Sequence, residues 1–210
     1  MTATNLSSNA GGFQKLEGPK AKKMVDRLNM AWPGSKFEAD KTALYARSMP
    51  FLHGWQLVEA SDATALPEKR CVILDNGDES VALQYDAAFI QDFCRARELR
   101  LDRNTAADYV RFWLEYVRSG TEKFMLIENV DDLPWREEPT PQARKSLAKA
   151  VTPLTLTDAT PALYKFHACL LFRDALFDCT LDVTYDGKIT VTSRDPIVED
   201  LTVVDSLTGF

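Results

Sequence analysis

The chain has 210 residues, 45% hydrophobic and 27% charged, enough for one large domain or two small ones without disulfide or metal staples. Lys and Arg number 25 against 31 Asp and Glu, and the formal charge of -6 argues against a nucleic-acid partner, since neutralising phosphates needs a basic surface. Cys71, Cys94, Cys169 and Cys179 sit singly among apolar residues, as reduced, buried thiols do, and with no apolar leader or membrane-length run the expected location is cytoplasmic.

Residues 1–20, rich in Ser, Asn, Gly and Thr, read as a flexible N-terminal tail, and 21–210 as a single α+β domain. A first helix is expected from Lys22 to Ala31, ended by Pro33-Gly34. A second is expected from Phe37 to Met49, where Phe37, Lys41, Leu44, Tyr45 and Met49 fall near one stripe. Phe51, His53, Trp55 and Leu57 alternate as a strand does, which makes His53 a core or edge residue. Two further strands flank Asn76-Gly77, a dipeptide that tolerates the positive φ of a tight hairpin.

Asp86 is placed to cap a helix carrying Phe89, Ile90, Phe93 and Cys94. Thr105 and Asp108 resemble a capping box for a second helix ending at Gly120. The strand Lys123 to Asn129 follows, then an acidic, proline-containing connection at 130–141 that is the candidate hinge, with Trp135 as its anchor. Thr140-Pro141 starts a short helix, and beyond Val151 nearly everything reads as strand. The fold class expected is therefore α+β, helices packed on a mainly antiparallel sheet with a C-terminal β-meander.

Within that meander the period is two: Phe177, Cys179, Leu181, Val183 and Tyr185 alternate with Asp178, Thr180, Asp182 and Thr184. A two-residue connection at Asp174-Ala175 would set Phe172 opposite Phe177, Leu170 opposite Cys179 and His167 opposite Asp182. A three-residue loop, Tyr185 to Gly187 with Gly187 left-handed, would set Val183 opposite Ile189 and Leu181 opposite Val191. Cys179 then points into the core, while His167 and Cys169 share the other face.

Two candidate sites follow. On the polar face, His167 as base, Asp182 as its orienting carboxylate and Cys169 as nucleophile would suit a small hydrolase or transferase. Arg95, Arg97, Arg100 and Arg103 lie within nine residues, a cluster able to grip an anion, although interleaved acids equally suit a solvated helix face. With two histidines and no cysteine pair at ligand spacing, no metal site and no cofactor are expected. No nucleotide-binding, hydrolase or zinc-protease motif is present. The leading expectation is thus a non-enzymatic accessory, ligand-binding or interaction module with a small-molecule or protein partner, away from membranes. A final strand at Leu201 to Val204 would supply an edge for a homodimer.

Overall fold

The computed structural model describes residues 12–34, 36–118 and 123–204, and the chain divides into two compact units between Gln84 and Tyr85. In the first, β1 (Gln14–Lys15), β2 (Ala43–Ser48), β3 (Gln56–Asp62), β4 (Lys69–Asp75) and β5 (Ser80–Ala82) form an antiparallel sheet in chain order. The helix α1 (Gly18–Ala31) covers one face. Its Met24, Val25 and Leu28, at helical spacing, pack with Leu44, Ala46, Val58 and Ile73, which recur every second residue on their strands.

Three expectations are corrected in this unit. Phe37 to Met49 is not a helix. The Thr42 amide and hydroxyl both donate to the Glu38 carbonyl, at 3.0 and 2.7 Å, closing a turn, and Ala43–Ser48 then pairs along its whole length with β3. The helical stripe and the strand alternation both include Leu44, so periodicity could not separate them; cross-strand bonding decided. His53 is not on a strand either, because β3 begins at Gln56 and His53 stands exposed in the preceding loop. Of the expected tail, residues 1–11 lie outside the described residues, but Gln14 and Lys15 pair with Ala46 and Tyr45, and α1 starts at Gly18. A hairpin does form around Asn76-Gly77, but through the four-residue loop 76–79 rather than a tight two-residue turn: Asp75 faces Ser80, Gly77 alone of the two takes a positive φ, 96°, and Asn76 Oδ1 accepts the Asp78 and Glu79 amides.

The second unit opens with α2 (Ala87–Ala96), capped by Asp86 accepting the Phe89 amide at 3.0 Å. The helix α3 (Thr105–Tyr116) is capped not by Thr105, already its first residue, but by Asp102, which accepts the Asn104 and Thr105 amides at 2.7 and 2.8 Å. It ends at Tyr116; Gly120 lies outside the described residues. Then come β6 (Met125–Leu126), a 3-10 turn at Val130–Asp132, and α4 (Pro141–Ala150), where Thr140 accepts the Ala143 amide. The strands β7 (Thr155–Ala159), β8 (Leu163–Phe172), β9 (Ala175–Thr184) and β10 (Ile189–Val198) build the second antiparallel sheet in the order β10-β9-β8-β6, with β7 also on β8. The fold is α+β with a C-terminal meander. In place of a strand at 201–204 there is one bridge, Val203 to Trp135, flanked by the Arg136 amide on the Thr202 carbonyl and the Val204 amide on the Pro134 carbonyl.

The β9–β10 loop forms as the pattern requires: Val183 faces Ile189, Leu181 faces Val191, and Gly187 has a φ of 87°. Leaving Gly187 without a Cβ also makes room for α3, since a Cβ there would lie 2.8 Å from the Tyr109 hydroxyl, which donates to the Gly187 carbonyl at 2.7 Å. The β8–β9 register differs from expectation by two residues. Arg173 takes the left-handed conformation, with a φ of 56°, and the turn is Arg173-Asp174, so Leu170 faces Phe177 and Ala168 faces Cys179. A shift of two keeps every side chain on its face, and the apolar pattern is blind to it.

Candidate anion-binding site

That shift rearranges the polar face of the meander. His167 faces Thr180, not Asp182, and its Nε2 lies 2.5 Å from Asp178 Oδ1. Asp182 is taken by Lys165, its cross-strand partner, with Nζ 3.0 Å from Oδ1 and 3.2 Å from Oδ2. Cys169 does adjoin His167, but through Thr152, whose hydroxyl is 3.2 Å from His167 Nδ1 and 3.6 Å from Cys169 Sγ. The thiol is 1% exposed, beneath the end of α4, among Leu147, Val151, Leu171 and Leu176. Its nearest backbone neighbours are the Thr152 amide, which donates to Sγ, and the Ala150 carbonyl, which accepts from it.

The arginine cluster is spread over short-range partners. Arg95 pairs with Asp92 at 2.7 Å, Arg100 with Glu98 at 3.1 Å, and Arg97 stacks over the Phe93 ring at 4.0 Å, while Arg103 is exposed. Arg111 grips Glu128 through Nε and Nη2 at 2.9 and 2.8 Å, and Glu128 Oε1 also accepts the Leu154 amide. These arginines hold the second unit's own acids and rings.

A more organised arrangement lies in the first unit. Asp75, at the end of β4, is fully buried. Its carboxylate accepts Ser80 Oγ at 2.6 Å and Gln56 Nε2 at 2.8 Å, and Arg27 Nη1 lies 3.3 Å from both oxygens. Arg27 Nη2 donates to the Gly77 carbonyl. With these partners fixed, the guanidinium is held at the junction of two clefts that share Arg27, Ser48 and Gln56 in their walls. One, of about 530 Å³, runs between α1 and the β1–β2 edge, and its described lining residues include Lys20, Lys23, Arg27 and Arg47 and no carboxylate. The other, of about 510 Å³, opens toward His53, Trp55 and Asn76.

Lys20, Lys23 and Arg27 stand at i, i+3 and i+7, the spacing that puts three side chains on one helix face, while Arg47 borders the cleft from β2 at a position that alternates with Ala46, which packs under α1. Lys20 and Lys23 are exposed, and neither is in an ion pair among the described residues. Arg47 also lies over the Phe13 ring, at 4.8 Å. Lys20 and Lys23 on one wall, beside an Arg27 whose charge is shared with Asp75, make this end of α1 locally basic. The net charge of the whole chain conceals this: residues 1–84 hold ten basic and ten acidic side chains, so the acidic excess belongs to 85–210. The Lys20, Lys23, Arg27 spacing was visible in the sequence, but the cleft beside it forms only when the sheet is built.

Among the described residues no group of three or more His, Cys, Asp or Glu is placed to hold a metal ion, and no helix is long and apolar enough to cross a membrane. Comparison with known proteins finds no family model, no curated protein and no solved structure that matches the chain.

Proposed function

We propose that the protein is a non-enzymatic, cytosolic binding module for a small polyanionic ligand, seated in the cleft between α1 and β2. One observation carries this reading: a concave wall that sets the exposed Lys20 and Lys23 beside Arg27, with no carboxylate among its described lining residues, in a chain whose overall charge is negative. Arg27 is preorganised by Asp75, so ordering it costs the complex little, and a guanidinium with a fixed fork suits phosphate or carboxylate oxygens. A volume of about 530 Å³ is in the range of metabolite-sized ligands. The outer edge of β10, at the end of its sheet, supports the companion proposal of a homodimer.

The test is calorimetric titration of the full chain with inorganic pyrophosphate. Binding should weaken at least about tenfold in the Lys20→Ala/Lys23→Ala variant, the scale of one or two charge-assisted hydrogen bonds, and should fall with added salt. Arg97→Ala/Arg100→Ala should leave it unchanged. Loss in the second variant and not the first would move the site to the 95–103 cluster; no binding at all would end the reading.

A second reading, a hydrolase or transferase, draws on the Thr152 hydroxyl that links Cys169 to His167, with Asp178 in the place expected of Asp182. It requires the segment around Ala150 and Thr152 to move off the thiol, and it predicts a Cys169 that reacts with small electrophiles in the folded protein.

A further inference from the structure

The basic cleft ends at Arg27, but the concavity does not. Across Arg27, Ser48 and Gln56 it continues into the second cleft, whose character changes. Among the described residues its one carboxylate is Asp75, already engaged by Arg27, Gln56 and Ser80. Apart from Arg27, its other polar side chains are neutral, Ser48, Gln56 through the amide oxygen that Asp75 leaves free, and Asn76 through its Nδ2, next to the largely buried Trp55 and the exposed His53. The position of His53 is built into the β2–β3 connection. Phe51 and Leu52, 2% and 0% exposed, anchor the loop, the Leu52 and Trp55 amides close it on the Met49 and Leu52 carbonyls, and Gly54 turns with a φ of 78°. His53 is thereby held out at the cleft with its ring exposed.

We infer that the ligand has two parts: phosphate groups held by Lys20, Lys23 and Arg27, and an uncharged, hydrogen-bonding heterocyclic body in the adjoining cleft beside His53. Nucleoside diphosphates are the simplest molecules of that description. The inference rests on the anion-binding reading above and adds the identity of the second part. Each cleft alone, at about 530 and 510 Å³, holds one part, and Arg27 at their junction is placed for the bridging phosphate. A body of this kind gains from the neutral donors and acceptors, which fix its orientation, and from an imidazole face against a flat ring.

The experiment titrates the full chain with three probes, inorganic pyrophosphate, adenosine diphosphate and uridine diphosphate, and repeats each with His53→Ala. His53 is exposed and, among the described residues, in no hydrogen bond or ion pair, so this variant keeps the cleft. The inference expects at least one nucleoside diphosphate to bind ten times more tightly than pyrophosphate or better, and expects His53→Ala to remove most of that gain while leaving pyrophosphate affinity as it was. Equal affinity for all three probes would overturn the two-part ligand and leave the anion reading standing. Absence of binding by all three would overturn both. Tighter binding to vesicles containing anionic lipid, or to a single-stranded oligonucleotide, than to any free diphosphate would also overturn it, by assigning the phosphates to a headgroup or a polymer.

Discussion

Arg27 and Asp75, 48 residues apart in sequence, meet with guanidinium Nη1 3.3 Å from each carboxylate oxygen, one partner 35% exposed and the other fully buried. The pair ties α1 to the end of β4 and at the same time presents the arginine to the clefts. Asp75→Ala strands the donors of Gln56, Ser80 and Arg27. The expected loss is about 2–4 kcal/mol in urea unfolding, less than the full cost of breaking a buried pair because Arg27 can turn toward water. A variant as stable as the parent would show that the pair holds nothing.

Gly187 is required twice over, by its φ of 87° and by the approach of α3. An added Cβ would lie 2.7 Å from Leu99 Cδ2 and 2.8 Å from the Tyr109 hydroxyl. Gly187→Ala should therefore cost about 2–4 kcal/mol, overpacking added to left-handed strain. Tyr109→Phe, which only leaves the Gly187 carbonyl without its hydrogen bond, should cost about 1–2 kcal/mol. If the two variants unfold at the same denaturant concentration, the close approach is not what constrains this loop.

On the polar face of the meander the partners can be read by double-mutant cycles. At a pH where His167 is protonated, His167 should couple to Asp178 by about 0.2–1 kcal/mol, the range for exposed pairs, and not to Asp182. Asp182 should couple to Lys165 instead. A coupling between His167 and Asp182 would restore the register that the alternation alone suggested.

The contrast between that register and the Gly187 loop shows what the sequence carries. Leu181, Val183, Ile189 and Val191 could face one way only with a three-residue loop, so the turn followed from the pattern. At the other hairpin, Arg173-Asp174 and Asp174-Ala175 keep the same residues on the same faces, and the choice lies in the left-handed conformation of Arg173, which no glycine announces. The fold class, the Asp86 and Thr140 caps and the burial of Cys179 were legible for the first reason. The role of Asp178 was not, for the second. The basic cleft was hidden differently: Lys20, Lys23 and Arg27 look like any solvated helix face until the sheet closes a concave wall beside them.

The thiols give a test of the enzymatic alternative. Burial pushes Cys71 and Cys94 up to about 12 and Cys179 up to about 11. Cys169 is covered by α4. Iodoacetamide at pH 8 should leave all four unmodified in the folded protein and label them on unfolding. Rapid labelling of Cys169 alone, slowed by His167→Ala, would favour the hydrolase or transferase.

Acid stability has a defined sign. The Thr105 amide, then the Asn104 amide, hold Asp102 below the ordinary carboxylate range, and the Thr184 hydroxyl does the same for Asp186. A carboxylate depressed in the folded state contributes stability that is full above its unfolded pKa and is lost as pH falls through its folded value. Asp102→Asn should therefore unfold with a shallower dependence on pH below about 4. A dependence as steep as the parent's would remove Asp102 from that role.

The central claim is one of location, and amide chemical-shift mapping of the full chain with pyrophosphate tests it most directly. The perturbed amides are expected in the first turns of α1 around Lys20 and Lys23, and in β2 near Arg47 and Ser48, moving together along one saturating curve. Perturbations gathered instead at residues 95–103, or around His167 and Thr152 with none in α1, would contradict it.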